Sequence, residues 1–352
     1  MNPNITNEQS AMKVYVCVTL YHVYVTLVKV YSDKEDISKI VILLNANNEK
    51  VYQQYIYIGQ QLLKHGFVCD VRLRTKWDEL RGKVRVQNKQ QLLIVEEQMR
   101  KIGVSEFTLY NFAWNNSYVY STASLLYKKC KEAIFIEEST LIAKVPLEKK
   151  WKKSVHKIFN GGVDFINDDK LKTIYVQKPE MFPSIWQNKL TILQLDSWTS
   201  QLTSENKSEI LKIMSQDGER IHALLKEENV GIVYSNPFSE DGLITEKEKI
   251  TNLMKICSFY KQYGKVILKL HPRDTSKYPI DSEMTLLPGS FPSELLSLTG
   301  YKFKYAVAVS SSAVNTTNAE YKINMNENYL HDRKFVLRDI NGKIVEKNDD
   351  EC

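Results

Sequence analysis

The run KIVILLN at 39–45 limits the fold more than any other stretch of the chain. It is as long as a strand and, from Ile40 to Leu44, apolar on both sides, as a parallel strand covered by helices on both faces requires. The same habit recurs before and after it. KVYVCVT (13–19), FVCDVRL (67–73), EFTLYNF (106–112) and AIFIEE (133–138) read as strands. Helical stretches lie between them, up to about Val30 and around 49–65, 87–101 and 116–130. Strands spaced by helices predict βαβ units and a parallel sheet.

The second half repeats the pattern. KTIYVQ (172–177), NVGIVYSN (229–236), KVILKL (265–270), Met284–Leu287 and KYAVAVS (304–310) read as strands. Helices are predicted around 205–214, 218–227, 245–261 and 291–298, with a last one from about Ser311. A chain of 352 residues suits two domains. The segment 145–171 turns to charge and glycine, so the division is expected there. The reading is α/β, with a first Rossmann-like domain over 12–160, a second over 171–335 and a polar, loosely held tail over 336–352. In such sheets ligands bind beyond the carboxyl ends of the strands.

Composition narrows the function. Hydrophobic residues make up 43% and charged residues 26%, which is globular and water-compatible. The longest apolar run, Val14 to Val30, is interrupted by Thr19, His22, Thr26 and Lys29, so no spanning helix is expected. MNPNITNEQS carries neither a basic n-region nor an apolar h-region, and a cytoplasmic location is expected. Five scattered cysteines without a CxxC pair indicate a reducing compartment and no structural zinc. A net charge of +6 is too small to argue for nucleic acid and suits anionic small molecules or an anionic membrane face.

Polar chemistry gathers at five strand ends. Thr19 and His22 follow the first strand. Glu137, Glu138, Ser139 and Thr140 follow 133–136. Ser235 to Gly242, including Glu240 and Asp241, follow 229–234. His271 and Pro272 follow 265–270, and Ser310, Ser311 and Ser312 follow 304–309. Serines where a strand turns into a helix can bind an anion or simply cap the helix. His271 can donate to a phosphate, and Pro272 restricts its backbone and so where the ring points; a strand-end histidine bonded to backbone is the plainer alternative. A carboxylate in SEDG (239–242) can act as a base, or the Asp-Gly can be an exposed turn.

Taken together, FIEES, SEDG, HPRD and SSS, in that order, resemble bacterial sialyltransferases of glycosyltransferase family 52, the lipooligosaccharide and capsular type. The order also resembles the polysialyltransferases and the marine-type sialyltransferases. The resemblance implies a GT-B fold of two facing Rossmann-like domains, acceptor side first and donor side second. It implies a CMP-sialic acid donor, a terminal glycan sugar (galactose expected) as acceptor, and inverting transfer without metal or cofactor. By residue, it implies His271 as phosphate contact and general acid, with Ser310, Ser311 and Ser312 holding the phosphate. Glu294 would meet the ribose in a loop shaped by Pro288 and Gly289, and Asp241 would be the base. Glu138 is the second choice of base, because the acidic pair at 137–138 lacks the following glycine. His22 and Thr19 are expected on the acceptor side. A different nucleotide sugar, as in glucosyl transfer, or a non-catalytic GT-B-like binding protein remain alternatives. LEKKWKKSVHKIF (147–159) reads either as a solvated helix or as a basic amphipathic one resting on an anionic membrane.

Overall fold

The computed structural model describes residues 11–75, 78, 83–112, 125–137, 169–182, 184–215, 229–289, 291–309, 311, 313–325 and 336–347. The chain divides into two compact units, Met1–Met214 and Ser215–Cys352.

The first unit is built on a parallel sheet. Its strands are β1 (Met12–Cys17), β2 (Ile40–Ala46), β3 (Val68–Leu73), β4 (Phe107–Asn111), β5 (Glu132–Ile136), β6 (Leu171–Val176) and β7 (Leu190–Ile192). Their order is β3-β2-β1-β4-β5-β6-β7, so the direction of winding reverses between β1 and β4. Every residue of β2 is buried, as KIVILLN demands. Each large aliphatic side chain buried there contributes about 1.5–3 kcal/mol. Helix α1 (Leu20–Ser32) continues the apolar run and is buried along most of its length. Helices α2 (Glu49–Lys64) and α3 (Lys83–Ile102) follow, as the spacing predicts.

The unit boundary falls later than 145–171. Strand β6 pairs in parallel with β5, Phe135 facing Ile174, and β7 pairs with β6, so 171–192 belong to the first sheet. Helices α4 (Leu195–Gln201) and α5 (Ser204–Met214) pack on the same unit. The Lys29 ammonium of α1 lies 4.6 Å from the Trp198 ring of α4 and 5.3 Å from the Tyr175 ring of β6. The Tyr57 hydroxyl of α2 donates to the Lys212 carbonyl of α5 at 2.9 Å. A change of composition therefore marked a crossover inside a domain, not a linker. The predicted helices at 116–130 and 218–227 lie wholly or largely outside the described residues, as does 147–159.

The second unit has a five-stranded parallel sheet of β8 (Gly231–Tyr234), β9 (Val266–Lys269), β10 (Met284–Leu287), β11 (Phe303–Val309) and β12 (Ala319–Met325). The order is β10-β9-β8-β11-β12, again Rossmann-like, with the reversal between β8 and β11. Helix α6 (Glu246–Tyr260) connects β8 to β9 and buries Lys249, Leu253, Ile256, Cys257 and Tyr260. Two predicted helices shrink to single turns, α7 (Leu295–Leu298) and α8 (Ala313–Thr316). The second of these gives way to β12, where the sequence predicts a continuing helix. The tail is also more ordered than expected. Strands β13 (Val336–Arg338) and β14 (Ile344–Lys347) form an antiparallel hairpin, Leu337 joins the core of the unit, and the Tyr260 hydroxyl donates to the Arg338 carbonyl.

Candidate active site

The candidate residues of the second unit gather at the carboxyl ends of β8, β9 and β11, around the reversal point of the sheet. Three contacts tie these ends together. The His271 N–H donates to the Ser235 hydroxyl at 2.9 Å, joining the end of β9 to the end of β8. The Asn236 amide donates to the Val309 carbonyl, joining β8 to β11 across the reversal. Gly289, after β10, packs on the His271-Pro272 backbone so closely that a Cβ there would lie 2.6 Å from the His271 carbonyl oxygen. A pocket of about 330 Å³, open to solvent, lies beside these ends, lined in part by Tyr234, Asn236, Phe238, Leu253 and Val309.

His271 is half-buried, and its protonation is constrained. The Arg273 N–H donates to its Nδ1 at 3.1 Å. A ring that accepts at Nδ1 carries its hydrogen on Nε2 and is neutral. Burial, with the charges of Arg273 and Lys269, pushes the imidazole below its ordinary value, against the opposite pull of Asp274 and Asp241.

The SEDG turn is a turn, and also more than that. Gly242 adopts φ +71°, in the left-handed region that glycine enters without penalty. Asp241 and Glu240 diverge. Both Asp241 oxygens are gripped by Arg273, at 2.6 and 3.2 Å. A base in that position must first be released before it takes a proton, so the aspartate that the resemblance implies as base is a paired one. Glu240 is bound by buried Lys249 at 2.7 and 2.8 Å and by the Thr275 N–H at 3.0 Å. Partial burial opposes ionisation of Glu240, but the Lys249 and Thr275 bonds prevail and hold it near 2. Lys249 also reaches Asp274 at 2.9 Å, and Asp274 accepts from the Tyr278 hydroxyl at 2.8 Å. The turn and the HPRD loop are thus one piece, riveted by a lysine that sequence reading passed over. Ser235, legible as the first polar residue after β8, has a role that only the neighbouring strand reveals.

Of the serine run, Ser310 and Ser312 lie outside the described residues. The Ser311 backbone exchanges two 3.2 Å hydrogen bonds with the Asn324 side chain of β12, and its hydroxyl accepts from the Ala313 N–H at 3.3 Å. This is the capping alternative, on a helix of four residues; an anion here would rest on hydroxyls and local N–H groups, not on a helix dipole. Ser311 Oγ keeps its own hydrogen to donate. Glu294 is exposed, in electrostatic reach of the end of β8. Burial pushes the Tyr234 phenol up to about 12, the Thr317 hydroxyl bond works against this, and the Glu294 charge adds to it.

The acceptor-side candidates of the first unit stand differently. Thr19 is the N-cap of α1, its hydroxyl accepting from the His22 N–H at 3.3 Å. His22 is fully buried; its Nδ1 accepts from the Val18 and Thr19 N–H groups at 3.0 and 3.3 Å, and its ring stacks on Phe112 at 4.5 Å. Both serve as capping and packing residues here. Glu138 lies outside the described residues; its neighbour Glu137 is buried and accepts from the Gln177 N–H. Among the described residues no group of three His, Cys, Asp or Glu could hold a metal, and no helix is long and apolar enough to cross a membrane.

A Rossmann-like unit with polar loops gathered near its reversal point defines a class, the doubly wound α/β proteins, whose ligands bind beyond the carboxyl ends of the strands. The sequence profile of glycosyltransferase family 52 matches residues 142–325, and the chain belongs to that family. An uncharacterized protein of Haemophilus influenzae (strain ATCC 51907 / DSM 11121 / KW20 / Rd) is 27% identical over 194 residues, 55% of this chain and 61% of the relative, so the chain matches less than two thirds of that relative's length. Among solved structures, the UDP-GlcNAc 2-epimerase of Methanocaldococcus jannaschii in complex with UDP-GlcNAc and UDP aligns with 86% of this chain and 80% of its own, at 11% identity and a TM-score of 0.43. Another structure of that epimerase aligns over 87% of each chain, at 10% identity and a TM-score of 0.42.

Proposed function

We propose that the chain is a sialyltransferase, moving sialic acid from CMP-sialic acid to a terminal sugar, galactose expected, of a bacterial surface glycan, with inversion and without a metal. The acceptor hydroxyl attacks the anomeric carbon through an oxocarbenium-like transition state, as in other glycosyl chemistry. Its oxygen forms the new bond, its proton passes to Asp241, and the bond from the anomeric carbon to the phosphate oxygen breaks with its electron pair leaving on CMP. A single phosphate leaves, so hydrogen-bond donors suffice to stabilise it.

The observation that carries this reading is His271 at the carboxyl end of β9, next to the reversal point of the second sheet and tied to the end of β8 through Ser235, with Nδ1 occupied and the hydrogen on Nε2. That geometry favours a neutral hydrogen-bond donor to the departing phosphate over a proton-donating imidazolium. Ser311 and its neighbours Ser310 and Ser312 add hydroxyl donors, and Glu294 is suited to the ribose hydroxyls. The lysine-rich segment 147–159 belongs to the same reading as a peripheral membrane contact on the cytoplasmic side, tested by sedimentation with anionic vesicles.

The test is a donor screen with product detection by mass spectrometry. CMP release from CMP-sialic acid, with label appearing in a galactose-terminated acceptor, is the expected result. Turnover of a UDP-sugar alone would replace this donor with another, and binding without any turnover would replace the enzyme with a binding protein.

A further inference from the structure

We propose that Arg273 is the receptor for the carboxylate of the donor sugar, and that Asp241 occupies this receptor until the donor arrives. The inference rests on the sialyl-donor reading above. Arg273 already holds a carboxylate in two-point fashion, Nη1 to Oδ1 at 2.6 Å and Nη2 to Oδ2 at 3.2 Å, which is the fork geometry by which arginine selects carboxylates. The pair is open to exchange, because the Arg273 side chain is 61% exposed and that of Asp241 37%. Solvent-exposed pairs of this kind are weak, so one carboxylate can replace another. Of the nearby cations, Lys249 and Lys269 are buried, with Lys249 bound to Glu240 and Asp274, and Lys277, exposed on the same loop, is a point charge without the guanidinium fork.

Position supplies the rest. The Arg273 backbone holds the His271 ring, so its guanidinium is rooted two residues from the imidazole assigned to the phosphate. In a CMP-activated 2-keto-acid sugar, carboxylate and phosphate share one anomeric carbon, and two neighbouring anions meet two neighbouring donors. Exchange has a consequence for catalysis. Once the donor carboxylate takes the guanidinium, Asp241 is released to receive the proton of the acceptor hydroxyl. A neutral hexose donor has no group to make the exchange and leaves the base paired. Arg273 thereby selects for an acidic sugar and orders donor before acceptor.

The experiment is calorimetric titration of the whole chain with two probes, CMP and CMP-sialic acid. Arg273→Gln is expected to weaken CMP-sialic acid binding about tenfold or more, the scale of a lost charge-assisted fork, while CMP binding stays within about twofold. Arg273→Lys, which keeps charge without the fork, falls between. Asp241→Asn removes the competitor and is expected to tighten CMP-sialic acid binding a few-fold and leave CMP unchanged, a sign that a purely structural pair would not give. Equal loss of both probes in Arg273→Gln, or weaker donor binding in Asp241→Asn, overturns the proposal. Wild-type protein that binds CMP but not CMP-sialic acid, or neither, overturns the donor reading itself and this inference with it, a failure visible before any variant is made.

Discussion

A methyl group added at Gly289 would meet the His271 carbonyl oxygen at 2.6 Å and the Pro272 Cα at 3.0 Å, both backbone atoms that cannot swing aside. Gly289→Ala therefore displaces the histidine it leans on. Overpacking of this kind costs about 1–3 kcal/mol, and a misplaced catalytic group can lose about a hundredfold in rate. Urea unfolding and kcat/KM on the same sample measure both effects. His271→Ala is expected to lower transfer at least about a hundredfold. The pH profile separates the two roles open to the ring. Its folded value lies below 6.5, so it is neutral at pH 7 and above. As a neutral Nε2–H donor it keeps the rate level from about pH 7 to 9; as a proton donor it would make the rate fall about tenfold per pH unit over that range. The sign for stability follows: the unfolded ring binds a proton more readily, so the second unit loses stability as pH falls below about 6.5. His271 and Pro272 were legible because a polar pair closes an apolar strand. The Arg273 N–H that sets the ring's state is two residues away and depends on the turn of the loop, whereas Ser235, which accepts from the His271 backbone N–H, is met only because β8 lies beside β9, and local sequence does not show that.

At the scale of elements, helix α6 shows what periodicity reveals and what charge conceals. EKEKITNL looks like a solvated face, yet Lys249 falls on the buried stripe with Leu253, Ile256 and Tyr260, at helical spacing. That spacing was the available signal. The lysine is buried because its charge is met by Glu240 and Asp274 from two loops. Lys249→Met leaves both carboxylates without their cation and should destabilise the protein by about 3–5 kcal/mol, measured by chemical unfolding. Acid probes the same rivet. Glu240 is held near 2, well under its ordinary value of 4.5, so its contribution is complete above about pH 4.5 and is lost as pH falls toward 2. In Lys249→Met that part of the acid dependence should shrink, leaving the share due to the Thr275 and Ser239 bonds. The long strands were readable from their apolar runs. The one-turn helices Leu295–Leu298 and Ala313–Thr316 were not, because a four-residue helix is fixed by its neighbours and has no period of its own.

For the whole molecule, both parallel sheets were legible, and the boundary between the units was not. A charged crossover looks like a linker until the strand after it is seen to pair with the strand before it, as β6 does with β5. The candidate residues Asp241, His271, Pro272 and Gly289 are within one set of contacting loops, whereas Thr19 and His22 cap and fill the first unit. If transfer proceeds as proposed, EDTA leaves the rate unchanged within about twofold, because hydrogen-bond donors rather than a cation stabilise the leaving phosphate. The central claim is that a neutral His271 offers its Nε2–H to the phosphate of CMP. With only six histidines in the chain, long-range proton–nitrogen spectra of ¹⁵N-histidine-labelled protein, assigned with His271→Ala, test it directly. The account predicts a His271 ring in the Nε2–H form at pH 7.5 whose Nε2 signal shifts on saturation with CMP. A protonated ring at that pH, or signals that CMP leaves unmoved while it binds, would contradict it.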